Sequence, residues 1–180
     1  LVAKSSVVLF ETKELVSFFD SIPKSDVRWF PNSRPIKEDV QSSNEAQNFV
    51  FLSQIKTQKG VAEVFEAANQ VPDSVTIDIF GPAGYDISED ELQNFVNNSR
   101  ATYHGAVRPD QVISILQKYD CLVLPTYWPH EGYPGVIIEA YMAGLPVITT
   151  EAGAIPEIVD ESSGMFVEAK NVKDLTSSII

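Results

Sequence analysis

The stretch HEGYPGVIIEAYMAGLPVITTEAGAIPE, residues 130–157, reads as a loop, a helix, a strand and a turn in immediate succession. PGVIIEAYMAG has helical spacing and a proline at its start, and Gly144 stops it. LPVITT follows as an apolar run without polar alternation, the pattern of a strand covered on both faces. AIPEIV closes the stretch as a short helical turn. A strand of that kind needs helices above and below it, so its neighbours along the chain should alternate in the same way.

They do. Towards the N-terminus, NFVFLS (48–53) is a strand and KGVAEVFEAANQV (59–71) a helix with apolar residues at 61, 64, 65 and 68. SVTIDIFG is a strand, SEDELQNFVNN a helix with Ser88 as N-cap, and ATYHG another strand. RPDQVISILQKY has Pro109 near its start and reads as a helix, and DCLVLP is a strand. Towards the C-terminus, GMFVEA and NVKDLTSSII form a last strand and helix. The expected fold class is therefore α/β, a Rossmann-like doubly wound parallel sheet spanning 46–180.

The first 45 residues differ. SVVLF and VRWFP are two strands joined by the helix TKELVSFFDSI, and RPIKEDVQSSNEAQ reads as a linker. That is too little sheet for a separate domain. With Leu1 at the start and an apparent helix at the end, the chain is expected to be a piece of something longer.

Composition narrows the functional classes. The net charge of −12 argues against nucleic acid or an anionic membrane surface as the main partner. The single cysteine, Cys121, cannot form a disulfide within the chain and reads as a buried strand thiol. No window approaches the roughly 18 consecutive apolar residues of a membrane span. No group of His, Cys, Asp and Glu has metal-ligand spacing, and no Asp-x-Asp pair occurs. GPAG is not the G-x-G-x-x-G signature of a nicotinamide site.

In open α/β sheets ligands bind outside the carboxyl ends of the strands. The loops SQIKTQKG, GPAGYD, PTYWPHEGYPG and TEAGAIPE are the candidates. The third is long for a strand-to-helix connection and ends at Pro134, so the N–H groups of the next residues open towards the crevice. Glu139 lies five residues along that helix, roughly 7.5 Å by helical rise, and Glu131 stays in the loop. Taken singly, Glu131 reads as a solvated loop residue and Glu139 as the wet edge of an amphipathic helix. Placed around a helix start, the pair suits hydroxyl groups at either end of a diphosphate. An unpaired carboxylate in a nearly all-buried helix is costly, which favours the ligand reading for Glu139.

At this point the chain resembles a known family. EGYPGVIIEAYMAGLPVITTEAGAIPEIV is similar to the E-x7-E segment of retaining GT-B glycosyltransferases of family four (group 1). VRWFPNSRP is similar to the strand that closes the N-terminal domain there, and FVFLSQIKTQKG to the opening of the C-terminal domain. IDIFGPAG, YHGAV and YDCLVLPT follow in family order. The resemblance implies that 1–45 is the tail of an acceptor-binding domain and 46–180 a donor-binding domain. It implies transfer of a sugar from a UDP- or GDP-sugar, with retention and without metal, to a glycan or lipid-linked acceptor. It also implies a cytoplasmic setting, peripheral at the inner face of a membrane in the longer protein.

Carried over residue by residue, it makes Glu131 the catalytic-site carboxylate that holds the donor sugar. Gly132, Tyr133, Pro134 and Gly135 surround sugar and diphosphate, Glu139 takes ribose hydroxyls, and Lys59 meets the phosphates. His104, Gly105 and Val107 border the base. Gln54 stands where the family usually has arginine, with Ser53 before it; an amide cannot neutralise a phosphate, although Lys56 has the reach. Two other readings stay open: a nucleotide-sugar-binding module without catalysis, and a GT-B-like epimerase of sugar nucleotides.

Overall fold

In the computed structural model, which describes residues 7–19, 26–33 and 46–180, every paired strand runs parallel to its neighbours. The front piece is a small β–α–β unit: β1 (Val7–Phe10), α1 (Lys13–Phe19) and β2 (Asp26–Trp29). Most of the expected linker, 34–45, lies outside the described residues.

The rest is one six-stranded sheet built from β3 (Asn48–Leu52), β4 (Thr76–Phe80), β5 (Thr102–Tyr103), β6 (Cys121–Leu124), β7 (Val147–Thr149) and β8 (Gly164–Phe166). Its spatial order is β5-β4-β3-β6-β7-β8, the doubly wound arrangement expected from the alternation. The crossovers are α2 (Val61–Ala68), α3 (Glu89–Asn97), α4 (Val112–Leu116) and α5 (Gly135–Ala143), and α6 (Val172–Ile179) follows the last strand. α2 packs against α3 and α6, and α4 against α5, so the sheet lies between two helical layers.

The central strands carry the core. Val50, Phe51, Leu122 and Leu124 are fully buried, as the unbroken apolar runs require. Cys121 is buried too, and burial pushes its thiol up to about 12, far from a reactive thiolate. Ser88 caps α3 through a reciprocal box: its Oγ accepts the Glu91 N–H, and the Glu91 carboxylate accepts the Ser88 N–H.

Three expectations need correction. The helix foreseen over 59–71 starts later, because a tight turn over Thr57–Lys59 ends at Gly60, whose φ is +75°. A side chain at 60 would meet the Pro125 carbonyl at 2.3 Å, so glycine lets the β3 and β6 loops touch. The helix foreseen over RPDQVISILQKY is a turn over Pro109–Gln111 followed by five residues of α4. α5 is not buried nearly all round: its buried residues are Ile137, Ala140 and Ala143, and Glu139 lies on a partly exposed flank.

Candidate functional site

The strand order reverses between β3 and β6. From β3 the chain leaves through α2 towards β4; from β6 it leaves through α5 in the opposite direction to β7. The two loops part at that point and leave a crevice at the carboxyl edge of the sheet. Hydrogen bonds lace the rim around it. Gln58 O accepts the Tyr127 N–H at 2.9 Å, Pro82 O accepts the Ile55 N–H at 2.9 Å, and Glu131 O accepts the Ala154 N–H at 2.8 Å.

The crevice contains a cleft of about 420 Å³ bordered by Ser53, Lys59, Glu131 and the run from Gly132 to Val136, with Glu11 reaching it from the front piece. Lys59 sits in the turn ahead of α2, not within the helix, and its Nζ lies 2.5 Å from Glu131 Oε2. Both side chains are largely withdrawn from water, at 12% and 9% exposure, so this ion pair is screened far less than a surface one. Thr126, fully buried, places its Oγ1 2.8 Å from the same carboxylate oxygen and 3.1 Å from Gln58 O. Trp128 stands beside the pair, its ring centre 5.3 Å from Lys59 Nζ.

Pro134 caps α5 instead of forming its first helical residue. Gly135 and Val136 follow at the edge of the cleft, and first-turn N–H groups of a helix have no intrahelical acceptor. With the positive end of the helix dipole, they make this corner suitable for an anion.

The other residues expected from the sequence divide into three groups. Gly132, Tyr133, Pro134 and Gly135 line the cleft with Glu131 and Lys59. Gln54 is exposed and does not line it, although Ser53 does. Lys56 points its ammonium at the rings of Tyr85 and Trp128, 4.7 and 5.9 Å from their centres. His104, Gly105 and Val107 follow β5 at the outer edge of the sheet, apart from this cleft. There His104 stacks on Phe80 at 4.5 Å and its Nε2 lies 3.2 Å from Asp78. Among the described residues no group of three or more His, Cys, Asp or Glu is placed to hold a metal ion.

Two features escaped the sequence reading. One is Glu11, whose carboxylate faces Gly132: a side chain at 132 would come within 2.9 Å of its Oε2. No local pattern marks it, because only the packing of the front piece brings it there. The other is the side chain of Tyr133, whose hydroxyl donates to Glu157 Oε2 at 2.5 Å. Glu157 also accepts the N–H groups of Lys13 and Glu14 at 2.8 and 3.1 Å, so it caps α1 from the opposite side of the chain. Burial and the Glu157 carboxylate push the Tyr133 hydroxyl up to about 12.

Burial alone would raise the Glu157 carboxyl, but the bonds from Tyr133, Lys13 and Glu14 hold it below its usual 4.5. A depressed carboxyl contributes stability that is full above its unfolded value and is lost as pH falls through the folded one. The docking of α1 is therefore expected to persist down to the usual carboxyl range and weaken below it. Hydrogen exchange at the Lys13 and Glu14 amides, followed from about pH 6 to about pH 3, measures this. Protection already lost near neutrality would contradict the assignment.

A doubly wound sheet with a cation, carboxylates and an open helix start at its switch point defines a class of proteins that bind phosphorylated ligands in that crevice. Residues 46–180 match the family described as glycosyl transferases group 1, and the chain belongs to that family. It is 32% identical over 122 residues to the N,N'-diacetylbacillosaminyl-diphospho-undecaprenol alpha-1,3-N-acetylgalactosaminyltransferase of Campylobacter jejuni, covering 67% of this chain and 31% of that protein. Against the putative teichuronic acid biosynthesis glycosyltransferase TuaC of Bacillus subtilis it is 25% identical, covering 94% of this chain and 43% of the relative. The chain thus spans less than half the length of these relatives.

Its fold is that of GT-B glycosyltransferases. Anabaena HepE, solved in complex with UDP and glucose, superposes with a TM-score of 0.78 at 18% identity, over 97% of this chain and 53% of that one. The pneumococcal O-GlcNAc transferase GtfA, solved with UDP and GlcNAc, gives 0.73 at 19% identity, over 98% and 38%.

Proposed function

We propose that this chain supplies the donor-binding half of a retaining glycosyltransferase, which moves a sugar from a nucleoside-diphosphate sugar to an acceptor hydroxyl. The observation that carries this reading is the convergence of Lys59, Glu131 and the open start of α5 on one cleft at the switch point. The diphosphate lies at the amides of Gly135 and Val136 with Lys59 beside it, where positive charge stabilises the departing group. Glu131 and Glu11 accept hydroxyls of the sugar, and Glu139, farther along α5, takes the ribose. His104, Gly105 and Val107 border the base at the outer end of the sheet.

The Campylobacter relative is named for a lipid-linked acceptor and HepE was solved with UDP, which supports UDP as donor base and a lipid-linked or glycan acceptor. GDP is the alternative base. The acceptor is bound by a second domain, of which the front piece is the tail, at the inner face of a membrane. No metal takes part.

Calorimetric titration of the chain with UDP, GDP, UDP-glucose and GDP-mannose tests the reading. One nucleotide series should bind, and Glu139→Ala should weaken it about tenfold through the lost ribose bonds. Absence of binding by every compound at millimolar concentration, with no effect of the replacement, would refute it.

A second reading is favoured by Gln54. Among the described residues lining the cleft Lys59 is the one cation, and Gln54 sits outside it, so leaving-group stabilisation is thinner than in the family pattern. The domain would then bind a nucleotide sugar without turning it over. Release of UDP from UDP-glucose on addition of acceptors to the longer protein separates the two.

A further inference from the structure

Lys59 has two claims on it. The donor reading assigns it to the diphosphate, yet its ammonium is held by Glu131 at 2.5 Å. A single ammonium has three N–H donors but one positive charge, so it cannot neutralise both the carboxylate and a diphosphate at the start of α5. When the anion takes the cation, Glu131 loses its counter-ion while 9% exposed, a costly state unless something else holds the carboxylate.

Thr126 is placed to do that. It is fully buried, its Oγ1 lies 2.8 Å from Glu131 Oε2, and its own position is fixed from several sides. The Trp128 N–H donates to Oγ1 at 3.4 Å, the Thr126 carbonyl accepts from the Thr150 hydroxyl, and the Thr126 N–H reaches Leu124 O at 2.8 Å. One hydroxyl proton has two acceptors, Gln58 O at 3.1 Å and Glu131 Oε2, and donation to the carboxylate strengthens once the lysine has gone.

We infer that the Lys59–Glu131 pair is a resting latch which the donor diphosphate opens, and that Thr126 is the positioning residue that keeps the freed Glu131 aimed at the sugar. The inference rests on the donor-site reading above. Engagement of the phosphate would thereby expose the carboxylate to sugar hydroxyls in the same event.

Trp128 reports on the latch, since Lys59 Nζ stands 5.3 Å from its ring and the only other tryptophan is Trp29. In a Trp29→Phe background, UDP and UDP-glucose are titrated by calorimetry and by tryptophan emission in parallel. The latch predicts that UDP binding changes Trp128 emission, and that Lys59→Gln starts with altered emission and shows no further change. Binding seen by calorimetry without any change in emission overturns the latch but leaves the donor site standing. No binding at all overturns both.

Thr126→Val, nearly the same shape without the hydroxyl, tests the second half. UDP affinity should stay within about twofold, whereas the ratio of UDP-glucose to UDP affinity should fall about tenfold, the effect of one hydrogen bond to a charged group. Thr126→Ser should restore that ratio, which a purely packing role would not do. An unchanged ratio in Thr126→Val, or equal losses for both ligands in Thr126→Val and Thr126→Ser, would overturn the positioning role.

Discussion

Replacing Lys59 by methionine is expected to lower both the stability of the chain and its affinity for a nucleoside diphosphate. The stability loss comes from Glu131. With its partner gone, the carboxylate stays at 9% exposure with Thr126 as its remaining side-chain donor among the described residues. Removing one member of a buried pair costs about 3 kcal/mol, because the other charge is left without compensation. For a domain of this size that corresponds to a fall in Tm of roughly 6–12 °C, measurable by calorimetry. The affinity loss for UDP should be between about tenfold and hundredfold, the range for one charged hydrogen bond. The double replacement Lys59→Met with Glu131→Leu separates the effects: it should recover most of the Tm and leave UDP binding weak. A Tm unchanged in Lys59→Met would show that the pair is not the buried contact described here.

Gly153→Ala carries the second large effect. Gly153 has φ +53°, and a methyl group there would stand 2.1 Å from the Glu131 carbonyl oxygen and 2.8 Å from its nitrogen. Both atoms are backbone, so neither can swing aside, and the left-handed conformation adds its own strain. The β6 loop must move away from the β7 loop, breaking the bond from the Ala154 N–H to Glu131 O. The expected result is a loss of about 2–4 kcal/mol in urea unfolding, with Glu131 displaced from Lys59. Because the damage passes through the Glu131 backbone, the ratio of UDP-glucose to UDP affinity should fall along with stability. Full stability in Gly153→Ala would mean the two loops are not in contact.

Much of this was readable in advance, for identifiable reasons. The unbroken apolar runs around Val50 and Leu122 demand a sheet covered on both faces, and that demand fixes the alternation and the crevice. Ser88 with Glu91 three residues on is a local signal, and the capping box follows it. Long-range pairings are another matter. Lys59 and Glu131 are 72 residues apart, and no spacing in the chain says that one neutralises the other. Lys59 lies ahead of α2 and not within the helix expected over 59–71, because Gly60 takes a left-handed turn that admits the Pro125 carbonyl. The apolar neighbours of Glu139 suggest a carboxylate inside a nearly all-buried helix. The helix buries Ile137, Ala140 and Ala143 and packs Val136 and Tyr141 partly against the core, while Glu139 is partly exposed and not fully buried. Glu11 had no signature at all, being brought to the cleft by the fold of a different piece of chain.

The divergence of the loops after β3 and β6 has a further meaning for how such a chain can change. The hollow between them is made by the route of the backbone, two crossovers departing in opposite directions, and not by any side chain that lines it. Substitutions can therefore re-equip the hollow without closing it. A side chain on the rim can be exchanged and the cavity persists, ready to be refitted from elsewhere. Divergence in this architecture alters the furnishing while the room stays in place, which is how a chain less than one-fifth identical to HepE superposes on it at 0.78.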